Sequence, residues 1–158
     1  MNSAIVFFSK DGNTKTAAKL LNEKFNGKII ELKEIKKGNV IKAVFKKESK
    51  LEGTPWEEIK DSKTVYLMQP VWGSNGVPAM NAFIKNAEFI DKNVYIITFQ
   101  ASKDLKGSEK IHTYYTKLVE NKGGRVAKCY AFVGGSIGHC LDESKIKEQI
   151  KAVEQASV

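Results

Sequence analysis

Five short apolar runs alternate with five segments of helical period, and this alternation restricts the fold more than any other feature of the chain. Residues 4–8 (AIVFF) form a continuous apolar run, the pattern of a strand buried on both faces. Thr14, Ala17, Ala18, Leu21 and Phe25 then fall at i, i+3, i+4, i+7 and i+11, one face of a helix, with Gly27 placed as its C-cap. Residues 28–35 (KIIELKEI) read as a second strand, more polar and so nearer an edge. The third, fourth and fifth strands are read at 64–69 (TVYLMQ), 94–99 (VYIITF) and 126–133 (VAKCYAFV). Between them lie a helix opened by Pro78, with Met80, Phe83 and Ile84 inward, and a stripe of Ile111, Tyr114, Tyr115, Leu118 and Val119 ended by Gly123 and Gly124. A last helix is read at 142–154, with Ile146, Ile150 and Val153 inward. The stretch 36–62 is less regular. Val40, Ile41, Val44 and Phe45 suit one or two turns of amphipathic helix, Pro55 interrupts, and Trp56 to Ile59 suit another turn.

Strands alternating with helices give an α/β fold with a parallel sheet covered on both faces. The 158 residues suit a single domain over 1–158. In such sheets ligands sit outside the carboxyl ends of the strands. Three loops therefore matter: 9–14, 70–77 and 100–107.

Composition narrows the function. Lys and Arg number 26 against 18 acids, a net charge of +8, but Arg125 is the only arginine. Bidentate base reading favours arginine, so sequence-specific nucleic-acid binding is not expected. Cys129 and Cys140 are too few for a disulfide framework, no CxxC pair exists, and no zinc site can be assembled from them. Cys129 lies in an apolar run and reads as a buried, inert thiol. The N-terminus runs straight into an apolar strand, so no signal peptide is expected, and no apolar run reaches the ~20 residues of a membrane helix. A soluble, cytoplasmic protein without a membrane role is expected.

The first loop, Ser9-Lys10-Asp11-Gly12-Asn13-Thr14, joins a buried strand to a helix. A helix N-terminus offers free N–H groups and partial positive charge, a natural phosphate site. Ser9 and Thr14 add hydroxyls, and Gly12 permits close backbone approach. The loop is neither GxxxxGK[ST] nor GxGxxG. The same residues also suit an ordinary turn with Asp11 or Asn13 as N-cap. Gly134-Gly135-Ser136-Ile137-Gly138 matches G-x-S-x-G, but the only later histidine is His139, in the same turn, and His112 lies upstream on a polar helix face. A hydrolase is not expected, and these glycines read as a loose lead-in to the last helix. No catalytic nucleophile, proton donor or metal site is read from the chain.

Placed after the first strand, the loop resembles the phosphate loop of the flavodoxin family, roughly [ST]-x-T-G-x-T. Ser9, Gly12 and Thr14 match, while Asp11 replaces the usual threonine. That puts a carboxylate near the phosphate, which Lys10 and Lys15 can offset. The loop Gln69-Pro70-Val71-Trp72-Gly73-Ser74-Asn75-Gly76-Val77-Pro78 resembles the family's second flavin loop. The resemblance implies that Trp72 stacks on the flavin ring and that Gly73, Ser74 or Asn75 offers a backbone carbonyl to flavin N5, tuning the one-electron-reduced state. Taken from the residues alone, Trp72 equally suits a rim or core aromatic. In the third loop, Phe99, Gln100, Ala101 and Ser102 are the implied ring contacts, with no second aromatic close by.

The resemblance covers nearly the whole chain. It implies a three-layer sandwich with a five-stranded parallel sheet of order 2-1-3-4-5, and flavin mononucleotide (FMN) as cofactor. It implies a one-electron carrier whose partners are redox proteins with acidic docking surfaces. Two alternatives remain open: an NAD(P)H-dependent FMN oxidoreductase acting on quinone-like acceptors, and a binding module of this fold that has lost the flavin.

Overall fold

The computed structural model of the protein describes residues 2–154. Its five strands, β1 (Ser3–Phe7), β2 (Lys28–Glu31), β3 (Thr64–Pro70), β4 (Asn93–Gln100) and β5 (Arg125–Val133), form one parallel sheet of order β2-β1-β3-β4-β5. The helices are α1 (Asn13–Phe25), α2 (Val40–Val44), α3 (Pro78–Asn86), α4 (Lys106–Glu120) and α5 (Glu143–Ile150), with a 3-10 turn at Pro55–Ile59.

The sheet divides the core in two because strand side chains alternate between faces. Ala4, Val6, Val65, Leu67, Val94 and Ile96 pack under α3, α4 and the 3-10 turn, with Met80, Phe83, Ile111 and Tyr115. Ile5, Phe7, Tyr66, Met68, Ile97 and Phe99 pack under α1 and α5, with Ala17, Leu21, Phe25 and Ile146. Strands buried on both sides are apolar along most of their length, and the buried polar exceptions, Thr64, Gln69, Thr98 and Gln100, lie at or near the strand ends.

The edges depart from the sequence reading. β2 ends at Glu31 rather than residue 35: it pairs only with β1, over Ala4↔Lys28 to Phe7↔Glu31. β5, the other edge, carries an irregularity where Val94 pairs with Val126 but Tyr95 with Lys128. Cys129 on that edge is only half-buried, though its surroundings do push the thiol pKa up, desolvation outweighing a hydrogen bond with Thr116. Asn26, not Gly27, takes the left-handed cap of α1 (φ 49°). Gly27 is required for a different reason: a Cβ there would lie 2.6 Å from Ser3 Oγ and 2.8 Å from Ser3 O. α4 begins at Lys106, so the third loop is shorter than 100–107.

Among the described residues no helix is long and apolar enough to cross a membrane.

Candidate functional site

The loops that leave the carboxyl ends of β1, β3, β4 and β5 enclose a cleft. It is lined by Ser9, Lys10, Asp11, Asn13 and Thr14 at one end and by Pro70, Val71 and Trp72 along one side. Phe99, Gln100 and Ala101 after β4, and Gly134, Gly135 and Ile137 after β5, complete the lining. The space between these residues is about 480 Å³, part of it open to solvent.

The β1 end has the features of an anion cradle. Gly12 adopts φ 95° ahead of α1, a conformation that carries little strain only for glycine. No side chain caps the helix, and its first turn holds no acidic residue. The first backbone bond back into the helix runs from Thr16 N to Gly12 O at 2.9 Å. The N–H groups ahead of Thr16 therefore lack intrahelical acceptors and add their partial positive charge to the cleft. Beside them, Ser9 Oγ is buried without a hydrogen-bond partner. A buried hydroxyl left unpaired is costly. Ser9 Oγ and the open helix end together fit a phosphate group.

Asn13 has another task. Its Nδ2 donates to His139 O (3.0 Å), while its Oδ1 accepts from Gly135 N (3.1 Å) and Leu141 N (2.9 Å). The side chain thus latches the loop after β5 over the start of α1 and does not cap its own helix, while Asn13 still lines the cleft. A Cβ on Gly135 would lie 2.0 Å from His139 O, so only glycine lets this loop fold back on itself. Gly134, Gly135 and Ile137 are site residues the sequence reading missed. The glycine cluster was the available signal, and it marks a tight cover, not a loose lead-in.

Of the second loop, only Pro70, Val71 and Trp72 reach the cleft. Trp72 packs edge-on against Phe8 (centroids 5.7 Å apart, 87° between planes) with Lys10 Nζ 5.4 Å from its centroid. Trp72 and Asn75 exchange backbone hydrogen bonds of 2.9 and 3.0 Å, closing a turn in which Gly73 and Ser74 both have positive φ (55° and 57°). This is the I′ geometry, which glycine and asparagine favour and which serine takes here at some strain. Buried Asn75 locks the turn by donating from Nδ2 to Gly73 O at 2.6 Å. Gly73, Ser74 and Asn75 therefore shape the turn behind Trp72 and do not line the cleft.

In the third loop, Phe99, Gln100 and Ala101 line the cleft and Ser102 does not. Gln100 is held by a hydrogen-bond chain. Ser108 Oγ donates to Gln100 Oε1 (2.9 Å), Thr98 Oγ1 donates to Ser108 Oγ (2.8 Å), and His112 Nε2 lies 2.9 Å from Thr98 Oγ1. Each hydroxyl has one proton to give, so the chain assigns Nε2–H as the donor to Thr98. Gln100 Nε2 donates to Ser102 O (3.0 Å), which leaves its second N–H without a partner in the chain just described. His112 is thus drawn against β4 instead of lying on a polar face, and burial pushes its pKa down. The exposed Asp104 carboxyl sits below its usual range because Ser102 Oγ and Lys106 N donate to it.

Charge at the anion end differs from expectation in one respect. Lys15 is bound to Glu31 on β2 at 3.1 Å, so Lys10 remains as the cation beside Asp11 at the cleft. Among the described residues no group of three or more His, Cys, Asp or Glu side chains could hold a metal ion.

No protein-family model matches the chain, and no curated protein matches it by sequence. Solved structures do match. The chain is 21% identical to a putative flavoprotein from Bacteroides uniformis, covering 95% of this chain and 97% of that one with a TM-score of 0.69. It is 13% identical to a flavoprotein from Lactobacillus acidophilus solved in complex with FMN (94% and 97% covered, TM-score 0.63). It is 15% identical to oxidised flavodoxin 2 from Bacillus cereus (96% and 94% covered, TM-score 0.62). At such identities the likeness is one of fold, and the fold is flavodoxin-like.

Proposed function

We propose that the chain binds FMN in this cleft and serves as a flavodoxin-type one-electron carrier. The observation that carries the reading is Ser9 Oγ, buried without a partner beside the uncapped N-terminus of α1. It is a donor set that a phosphate monoester satisfies. The matching fold of a flavoprotein solved with FMN supports the same reading.

The bound flavin would supply the electron chemistry, and the chain sets its position and surroundings. Ser9, Thr14 and the first N–H groups of α1 hold the phosphate. Trp72 offers an aromatic face to the ring, where offset stacking is favoured. Gln100, fixed by Ser108 and Thr98, presents a preset N–H donor at the cleft. Gly134, Gly135 and Ile137 would border the flavin from the loop after β5. Partners on this reading are redox proteins with acidic docking faces, matched to the net charge of +8, and the compartment is the cytoplasm.

The test is an absorption titration of the purified protein with FMN and, separately, with riboflavin, followed by stepwise dithionite reduction. FMN binding at least tenfold tighter than riboflavin, with reduction in two resolved one-electron steps, is the expected result. A single two-electron step, with rapid NADPH oxidation in the presence of a quinone, would transfer the assignment to an NAD(P)H-dependent oxidoreductase. Absence of FMN binding would leave a module of this fold without its flavin.

A further inference from the structure

Of the eight large apolar residues exposed on the described surface, four belong to one short segment: Val40 (50%), Ile41 (68%), Val44 (49%) and Phe45 (69%). The segment is α2 and its C-cap residue, whose only buried helix residue is Ala43. Polar ties hold the segment beside the partial contact of Val40 and Val44 with the turn at Gly73. Asn39 Oδ1 caps it by accepting from Lys42 N (2.9 Å). Ser49 N donates to Pro78 O (3.2 Å), and Asn81 Nδ2 donates to Lys47 O (3.0 Å). Lys46 Nζ lies 4.0 Å from the Tyr114 ring centroid on α4. An apolar cluster fixed in an outward direction marks an interaction surface.

Its position and charge select the partner. A Cβ on Gly73 would lie 3.4 Å from both Val40 Cγ1 and Val44 Cγ2. The helix therefore rests on the turn whose first residue, Trp72, lines the cleft. Residues 36–47 carry five lysines (Lys36, Lys37, Lys42, Lys46 and Lys47) and no acid. The flanking acids are engaged: Glu34 Oε2 accepts from Gly38 N (2.9 Å), and Glu48 pairs with Lys85 (2.9 Å). We propose that α2 is the docking surface for an acidic redox protein. Its apolar centre covers Val40, Ile41, Val44 and Phe45, and its carboxylates meet the surrounding lysines. A second copy of this chain would set lysines against lysines across a two-fold axis, which repels. A bilayer of anionic lipid matches the charge but delivers no electron to the cleft that α2 borders. The inference rests on the flavin reading for its redox partner, and on the surface alone for its location.

The probe is a reduced, acidic [2Fe–2S] ferredoxin. One electron leaves its cluster and enters the FMN-loaded protein, so the cluster is oxidised by one electron and the flavin reduced by one. Three variants are compared with the parent: Ile41→Ser with Phe45→Ser, Lys36→Glu with Lys37→Glu, and Lys46→Glu with Lys47→Glu. The rate constant for transfer in the parent is expected to fall steeply with salt. Each lysine pair reversal is expected to lower it at least tenfold at low salt. The apolar double variant is expected to weaken the complex at least tenfold while keeping the salt dependence. FMN affinity should be unchanged in all three. Unchanged rates in the apolar double variant would overturn the proposal. So would ferredoxin-induced amide shifts lying away from 36–47 and 73, a concentration-dependent dimer that the apolar variant abolishes, or binding to phosphatidylserine vesicles in preference to ferredoxin. The shift map is also recorded on the flavin-free chain. If the parent takes up no FMN, the carrier reading falls, while the map still accepts or rejects the docking surface.

Discussion

Replacing Asn13 by alanine should release the loop after β5 from the start of α1. The carboxamide makes three hydrogen bonds, to His139 O, Gly135 N and Leu141 N. Each is worth about 1 kcal/mol net. Water can reach part of this exposed loop and replace some of them, so the expected loss is about 2 kcal/mol rather than the full sum. For a domain of this size that corresponds to a fall in Tm of about 4–8 °C. The assay is thermal unfolding of the flavin-free chain, with amide exchange read at Gly135 and Leu141, where protection should fall selectively. Asn13→Asp keeps both accepted bonds but loses the donor and sets a carboxylate against His139 O, so it should fall between parent and alanine variant. A Tm drop below about 1 °C in Asn13→Ala, with exchange at Gly135 and Leu141 unaltered, would refute the latch.

Ser9→Ala removes a hydroxyl that has no partner, so the flavin-free chain should lose no stability. FMN affinity should drop about tenfold or more, the scale of a hydrogen bond to a charged group, with riboflavin affinity unchanged in parallel fluorescence titrations. Gly76→Ala would put a Cβ 1.9 Å from Tyr115 Oη and 2.5 Å from its Cζ. Tyr115 is fully buried and bonded to Asn81 Oδ1 at 2.6 Å, so it cannot swing away, and denaturant melts should show a loss of about 3 kcal/mol or the chain should fail to fold. Because burial lowers the folded-state pKa of His112, the unfolded chain binds its proton more readily. Stability is then complete above the ordinary histidine pKa and declines as pH falls from there toward the lowered folded value. Melts between pH 5 and 7 should show this slope, and His112→Gln should flatten it. Ser108→Ala cuts the chain that fixes Gln100 and strands its buried partners, so FMN affinity should fall severalfold by titration and denaturant melts should show a loss of about 1–3 kcal/mol.

The sheet was legible because β1, β3 and β4 are covered on both faces and so carry long, nearly continuous apolar runs. β2 was overextended because its parallel pairing with β1 stops at Glu31, while the KEI that follows turns to antiparallel pairing with residues 50–52, through the Glu34↔Leu51 bridge and the bonds from Ile35 N to Lys50 O and from Glu52 N to Lys33 O, and so keeps a strand's appearance. The helical period of residues 40–45 was readable, but its direction was not. Periodicity marks a stripe without saying whether the stripe meets core or solvent, and the small Ala43 turned out to be the side buried. The anion end of the cleft could be placed from Ser9, Gly12 and Thr14 because strand, turn and helix follow one another locally. The cover over it could not, since Asn13 finds its partners more than 120 residues away. Lys15 likewise looked available beside the loop until α1 was laid next to β2, where Glu31 takes it. Asn75 read as one of three residues able to offer a backbone carbonyl, and its carbonyl instead accepts from Trp72 N as the turn closes, which no spacing shows.

The tie between Asn13 and the 135–141 loop also orders events during biosynthesis. The start of α1 leaves the ribosome early, whereas Leu141 is made 128 residues later. At 5–20 residues per second the uncovered helix end waits roughly 6–26 s for its cover. Closure of the cleft thus waits for residues 135–141, and a chain truncated before residue 141 would carry Ser9 and the open end of α1 without the loop that Asn13 latches over them.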